Sequence, residues 1–239
     1  MFKNNEAQAL SKSEKTKERL YEAALKLFTR DGFDQSSMRA IAKEAGIAAG
    51  ASYYHFASKE NIVYEYYLRL HQDHMKVLGE TLSKNGSFEE KLYLVVKTKI
   101  EVALPNKDMA RALYRVAANP ESPLSPFSEE NKNLRLEALK VFQDVVNESK
   151  DCFNPQIKKF LPEYLWLYQM GIILFWIYDS SENSKKTFNL IDKTVPLIAY
   201  FNKQIQSPFA VPFRNKIIST LKSFAPDLGQ ITTPKKEGL

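Results

Sequence analysis

Apolar residues recur along this chain at helical spacing, with no sustained strand alternation and no strong hairpin turn pair. Ser11 or Ser13 is placed to cap a first helix running to about Arg30, with Leu20, Ala23, Ala24, Leu27 and Phe28 on one face. Asp31-Gly32 ends it, Gly32 offering the left-handed conformation of a helix C-cap. Ser36 or Ser37 caps a short second helix, Met38 to Ala45, which Gly46 closes. A third helix follows over about Ala49–His55, and Ser58 caps a long fourth that extends to about Ser83. Beyond an Asn85-Gly86 turn the pattern predicts helices near Phe88–Ala103, Asp108–Ala118, Ser128–Cys152, Pro162–Tyr178, Lys185–Gln204 and Pro212–Phe224. Pro-, Ser- and Asn-rich punctuation separates them, as at Leu104-Pro105, Asn119-Pro120 through Pro126, and Ser207-Pro208. Pro196, inside Lys185–Gln204, removes a backbone hydrogen bond and predicts a kink. The expected fold is all-α: a small N-terminal unit of three helices over 1–57, a larger helical unit over 58–226, and a polar, frayed tail over 227–239.

In the small unit Met38, Ile41, Ala42 and Ala45 share a face, and the two alanines let another helix cross closely. Gly46 permits a sharp turn and Ile47 plugs the corner. This is the physical logic of a helix-turn-helix, whose second helix enters the DNA major groove, although small residues and a glycine also make a plain helical corner.

The 239 residues carry a net charge of +6, which is compatible with a nucleic-acid partner without requiring one. The single cysteine, Cys152, excludes an internal disulfide and a thiol-rich metal site; it is expected to be a small buried or half-buried residue in a reducing cytoplasm. Met1 to Ser13 is polar, with no apolar signal segment. The longest apolar run, Tyr164 to Tyr178, is interrupted by Gln169 and falls short of the roughly 20 residues of a spanning helix. It reads as a core or dimer helix, the rival being a membrane- or lipid-associated helical protein. His71 and His74 share a helix face beside Asp73, but no other histidine lies outside the small unit, so a solvated or pocket-lining pair is expected rather than a metal site. No Gly-rich phosphate loop, His-Glu-x-x-His or nucleophile elbow occurs; no catalytic residue, metal or cofactor is expected.

The stretch Gly50-Ala51-Ser52-Tyr53-Tyr54-His55-Phe56-Ala57-Ser58-Lys59-Glu60-Asn61-Ile62 resembles the Gly-x-x-Tyr-x-x-Phe-x-Ser-Lys-Glu signature of the tetracycline-repressor (TetR) family. The resemblance spans about Lys15 to Val63 and includes Ala24, Phe28, Gly32 and Phe33. It implies that Ser36, Ser37, Arg39 and Lys59 contact phosphates, and that Tyr53, Tyr54 and His55 contact the DNA backbone. It also implies that Ala48, Ala49, Gly50, Ala51 and Ser52 meet base edges. The chemistry agrees, since hydroxyls, cations and helix N-termini suit phosphate oxygens. Tyr53 and Phe56 are also expected to pack the core, and His55 reads either as a DNA contact or as a cap on the turn. Two departures stand out: Ala48 occupies a place where the family often has a capping Ser or Thr, and Ser52 one where a larger apolar residue packs the short helix down. Both should loosen that helix. Ala and Gly touch thymine methyls but make no bidentate hydrogen bonds, so specificity is expected from shape, from backbone contacts and from Arg39 or the basic segment Lys12, Lys15, Lys17 and Arg19. Glu14 and Glu18 in that segment make a solvated helix face an equal reading.

The larger unit is rich in aromatics, and Tyr93, Arg111, Tyr114, Arg115, Trp166, Gln169 and Met170 are candidates for a pocket holding a small apolar or aromatic ligand. The plain alternative is that such aromatics are core. Leu161–Tyr178 and Phe188–Ile205 are apolar on more than one face, which predicts a homodimer through a two-fold bundle of four helices. The resemblance thus implies a repressor that a ligand releases from a palindromic double-stranded operator through a swing of the fourth helix. An activator, or a regulator whose core is filled and takes no ligand, fits the same sequence.

Overall fold

A computed structural model describes residues 11–82 and 86–230, with side chains described to 223. The helices are α1 (Lys12–Asp31), α2 (Met38–Glu44), α3 (Ala49–His55), α4 (Lys59–Thr81), α5 (Phe88–Ala103) and α6 (Lys107–Ala117), then α7 (Lys132–Asn147), α8 (Pro155–Lys158), α9 (Leu161–Tyr178), α10 (Lys185–Gln204) and α11 (Val211–Gln230). Single 3-10 turns lie at Leu104–Asn106, Glu182–Ser184 and Pro208–Ala210, and no strand occurs among the described residues.

Side-chain caps fix the starts of several helices. Ser11 with Glu14, and Ser87 with Glu90, form reciprocal capping boxes on α1 and α5, while Ser37 and Ser58 cap α2 and α4. Each such cap contributes about 1 kcal/mol by satisfying an amide that the helix itself leaves free. Gly32 takes a positive φ of 89° but an extended ψ of 156°, so α1 does not end in the left-handed cap expected of it.

The largest departure from the expected elements lies before α7. The helix starts at Lys132 rather than Ser128, and residues 118–131 form a chain of turns. Asn131 organises them, its Nδ2 donating to the carbonyls of Pro123 and Ser125 at 3.0 Å each, while Arg135 Nη1 donates to those of Pro126 and Ser128. α7 stops at Asn147, well before Cys152, and Cys152 is exposed rather than buried. α10 continues through Pro196, and α11 runs to Gln230, so helix replaces the first residues of the expected tail. Residues 231–239, Ser83 and the Asn85 half of the expected turn lie outside the described residues.

Two apolar cores result. One gathers Leu20, Ala24, Leu27 and Phe28 of α1 with Met38 and Ile41 of α2, Phe56, and Ile62 and Val63 of α4. Burying a side chain of Phe28's size contributes about 1.5–3 kcal/mol. Met109 and Leu113 of α6 belong to this same core, so α6 reaches from the larger unit into the smaller. The second core surrounds α5, which is flanked by α4, α7, α9 and α10. It takes up the apolar run of α9, burying Leu165, Trp166, Ile172, Trp176 and Ile177 inside the protein. No helix among the described residues is long and apolar enough to cross a membrane.

The join between α9 and α10 is set by Asp179, which is buried. It accepts hydrogen bonds from the backbone amides and hydroxyls of Ser181 and Thr187 at 2.7–2.9 Å. Burial alone would raise its pKa; the four bonds outweigh that and hold the carboxyl below its ordinary value.

Candidate functional site

The corner between α2 and α3 is closed by a Schellman arrangement. Ile47 N–H donates to Ala42 O at 2.9 Å and Gly46 N–H to Lys43 O at 3.1 Å, with Gly46 left-handed at φ 65°. Arg19 Nη2 donates to Ala45 O and would lie 3.1 Å from a Cβ placed on Gly46. A larger residue at this corner would therefore strain the backbone and also crowd the guanidinium.

α3 projects from this corner with Ala48, Ala49, Gly50, Ala51, Tyr53 and Tyr54 exposed. Tyr54 is 84% exposed and Tyr53 51%, so Tyr53 does not pack the core as expected; Phe56, at 4%, does. Tyr54 meets the half-buried His55 edge to face. Ser52 departs from its expected place. It is fully buried, its hydroxyl donates to Ala49 O at 2.7 Å, and it faces the core rather than a base edge.

The expected phosphate contacts divide in the same way. Ser37 and Arg39 are exposed at the start of α2, and the Ser37 hydroxyl caps that helix. Ser36 is buried and donates its hydroxyl to Gly32 O at 2.8 Å. Lys59 is turned inward, with Nζ donating to the carbonyls of Phe33, Ser36 and Asp34 at 2.8, 3.2 and 3.5 Å, 4.2 Å from the Phe33 ring centre. The first two carbonyls hold the ammonium and the third lies at the limit of a hydrogen bond, so in this structure Lys59 clamps the α1–α2 connection. In the basic segment, Lys17 pairs with Glu65 and Arg19 holds the corner, leaving Lys12 and Lys15 exposed. Glu18 pairs with Arg69 of α4.

A cavity of about 220 Å³ opens between α4, α5, α6, α7 and α9. Four of the expected pocket residues, Tyr114, Trp166, Gln169 and Met170, line it. Three lie elsewhere. Tyr93 donates its hydroxyl to Asp192 of α10 at 2.9 Å, Arg111 donates to Ile177 O at 3.2 and 3.3 Å, and Arg115 is exposed to solvent. His71 of α4, read as solvated or pocket-lining, lines it too; the sequence reading missed Lys99 of α5, and Asn131 and Arg135 at the start of α7. Their spread over separate helices leaves no local signal.

The two histidines considered as a metal pair have separate partners. His71 Nε2 lies 3.1 Å from Glu137, while buried His74 shares its Nε2 proton between Val95 O and Thr98 Oγ1 at 3.1 and 3.0 Å. The Thr98 hydroxyl donates to Leu94 O, which leaves its oxygen to accept from His74. Burial lowers both imidazoles, and the nearby Lys99 lowers them further; His74 falls to about 3 and is neutral, while Glu137 partly opposes the shift at His71.

Residues 20–66 match the family described as bacterial regulatory proteins, tetR family, and residues 91–206 match the tetracyclin repressor-like C-terminal domain. The chain is 39% identical over 70 residues to the uncharacterized HTH-type transcriptional regulator YerO of Bacillus subtilis, covering 28% of this chain and 24% of that protein. It is 38% identical over 53 residues to the HTH-type transcriptional regulator UidR of Escherichia coli, covering 22% and 27%. The matches thus span about a quarter of each relative's length. In fold, the TetR transcriptional regulator of Nitrosomonas europaea is similar over 78% of this chain and 99% of its own, with TM-score 0.60 and 12% identity.

Proposed function

The chain belongs to the tetracycline-repressor family of bacterial regulatory proteins, and from that premise we propose that it is a homodimeric transcriptional repressor, released from a palindromic operator by a small ligand. The observation that carries this reading is α3: a short helix, rigidly set by the Gly46 corner and anchored by buried Ser52, whose outward face is left uncovered. Ala48, Ala49, Gly50 and Ala51 would face base edges; Ser37, Arg39, Tyr53, Tyr54 and His55 would contact the backbone. The relatives' names describe transcriptional regulators rather than enzymes, and the site of action would be cytoplasmic DNA.

The second copy would cover the exposed apolar residues of α9 and α10. Leu174, Phe175 and Tyr178 on α9, and Leu197, Tyr200 and Phe201 on α10, repeat at helical spacing and stay open in the single chain. A two-fold dimer through Leu161–Tyr178 and Phe188–Ile205 would place the two α3 helices for half-sites about 34–36 Å apart or at a multiple of that spacing.

Coupling would run through two helices. α4 lines the cavity with Tyr66, Tyr67, Leu70 and His71, and its first residue is the Lys59 clamp. α6 lines it with Ala110, Leu113 and Tyr114, and Met109 and Leu113 belong to the core of the small unit. A ligand that fits the cavity better when these helices shift would move the operator-reading unit over 1–57 against the sensing and dimerising unit over 58–226. Its effect is limited to its difference in affinity between the two forms.

The test is fluorescence anisotropy of the protein on DNA upstream of its own gene, with an unrelated duplex of equal length beside it. Binding tighter by about a thousandfold to its own DNA, with steep salt dependence, supports the reading. No binding to either duplex at low salt refutes it.

A further inference from the structure

We propose that the cavity's occupant is an apolar monocarboxylate whose head group is held by Lys99, an inference that rests on the ligand-release reading above and names the ligand's class. Lys99 lines a cavity otherwise made largely of aromatic and aliphatic side chains. No aspartate or glutamate lines that cavity, and Lys99 has no ion pair, among the described residues. The groups that face it are His71 and neutral His74 from α4 and Arg135 from α7; Glu137, also on α7, stands outside the lining and is paired with His71. Lys99 is half-buried on the cavity wall, and an ammonium drawn partly out of water there is costly unless an anion accompanies it. The cost registers on Lys99 itself, whose amine burial alone pulls down to about 8. The chain supplies the cation and withholds the anion, and a carboxylate from outside completes the pair.

Two further groups in the lining point to a ligand. Gln169 and Trp176 are only 3% and 1% exposed, yet Gln169 Oε1 and Trp176 Nε1 have no hydrogen-bond partner among the described residues. An indole N–H suits a carboxylate oxygen, and the amide offers either an acceptor or, turned over, a donor. Buried polar atoms left unpaired in this way cost stability until something meets them. Size sets the rest of the class: apolar cavities of about 150 Å³ hold benzene. At about 220 Å³ this one suits an aromatic acid or an acyl chain of medium length.

Both tryptophans of the chain, Trp166 and Trp176, line the cavity, so intrinsic fluorescence reports its occupancy without DNA. Full-length protein would be titrated at neutral pH with octanoate, octanol and octylamine, which share one apolar body. Wild type, Lys99→Met and Lys99→Arg would be compared, and DNA release followed in parallel by anisotropy. The proposal expects octanoate to bind wild type at least about tenfold more tightly than octanol, with octylamine weakest. Lys99→Arg keeps that preference and Lys99→Met abolishes it while still binding octanol. Equal affinity for octanoate and octanol, preference for octylamine, a preference that survives Lys99→Met, or no fluorescence change with any of them overturns the proposal. Release of DNA by octanol alone leaves the release reading standing without the carboxylate. Selective octanoate binding without DNA release does the reverse.

Discussion

Replacing Lys59 with Met decides between two roles for a basic residue at the start of α4. Methionine keeps the length and apolar stem of the side chain and removes the ammonium. In the structure that ammonium holds three carbonyls of the α1–α2 connection, at 2.8, 3.2 and 3.5 Å, and lies over Phe33. The longest contact is at the limit of a hydrogen bond and adds little. Hydrogen bonds to a charged donor contribute about 1.5–3 kcal/mol each when well buried; Lys59 is half-buried, so the two shorter ones are taken at the low end or below. The ring contact adds about 0.5–1 kcal/mol. The expected loss is about 2–3 kcal/mol, which for a chain of this size lowers the melting temperature by about 4–12 °C. Thermal unfolding by circular dichroism measures it, and faster amide exchange over residues 33–37 would localise it. If Lys59 instead served a DNA phosphate, the variant would melt with the wild type, and the logarithmic salt slope of operator binding would fall by about 0.9 per protomer. An unchanged melting temperature with a reduced slope would falsify the clamp.

Four further outcomes rest on the same geometry. Tyr54→Ala removes a side chain that is 84% exposed, so stability should stay within about 0.5 kcal/mol while operator affinity falls; equal affinity in the anisotropy assay removes Tyr54 from the interface. Tyr200→Glu sets a charge on the exposed face of α10 and should yield monomers in sedimentation velocity with unchanged helix content; a persistent dimer would move the interface elsewhere. Folding lowers the Lys99 amine from 10.5 to about 8, so between those values the unfolded chain binds more protons and stability rises with pH. Lys99→Met should flatten that rise in denaturant titrations. For the same reason octanoate affinity, steady below about 8, should weaken above it as the unliganded amine loses its charge.

Local chemistry carried most of the element boundaries. Ser37, Ser58 and Ser87 start helices where their hydroxyls cap them, and Gly46 ends α2 where only a left-handed residue fits. The failures share a cause: side chains whose partners lie beyond the helical turn in which the sequence places them. Ser128 has the chemistry of a cap, but Asn131 and Arg135 draw the carbonyls before α7 into turns. Lys59 reads from the sequence as an unpaired cation, and only folding brings the carbonyls of Phe33 and Ser36 to it. Lys99 carries no local signal in the sequence, and only the packing of α4, α7 and α9 around α5 sets it on the cavity wall. Tyr93 and Arg111 were plausible cavity residues by composition; Asp192 and the Ile177 carbonyl claim them instead.

The uncovered face of α3 has a consequence for change over generations. A Cβ added at Gly50 would meet nothing within 4 Å, and Ala48, Ala49 and Ala51 beside it are exposed. The fold draws its stability from residues behind this face, from Ser52 and the Gly46 corner. Substitutions on the face therefore leave the scaffold's free energy nearly untouched, while on the proposed DNA-reading role each new side chain would meet whatever base lies opposite. On that role, a lineage carrying this scaffold would be free to acquire a different target sequence one residue at a time, without passing through an unfolded intermediate.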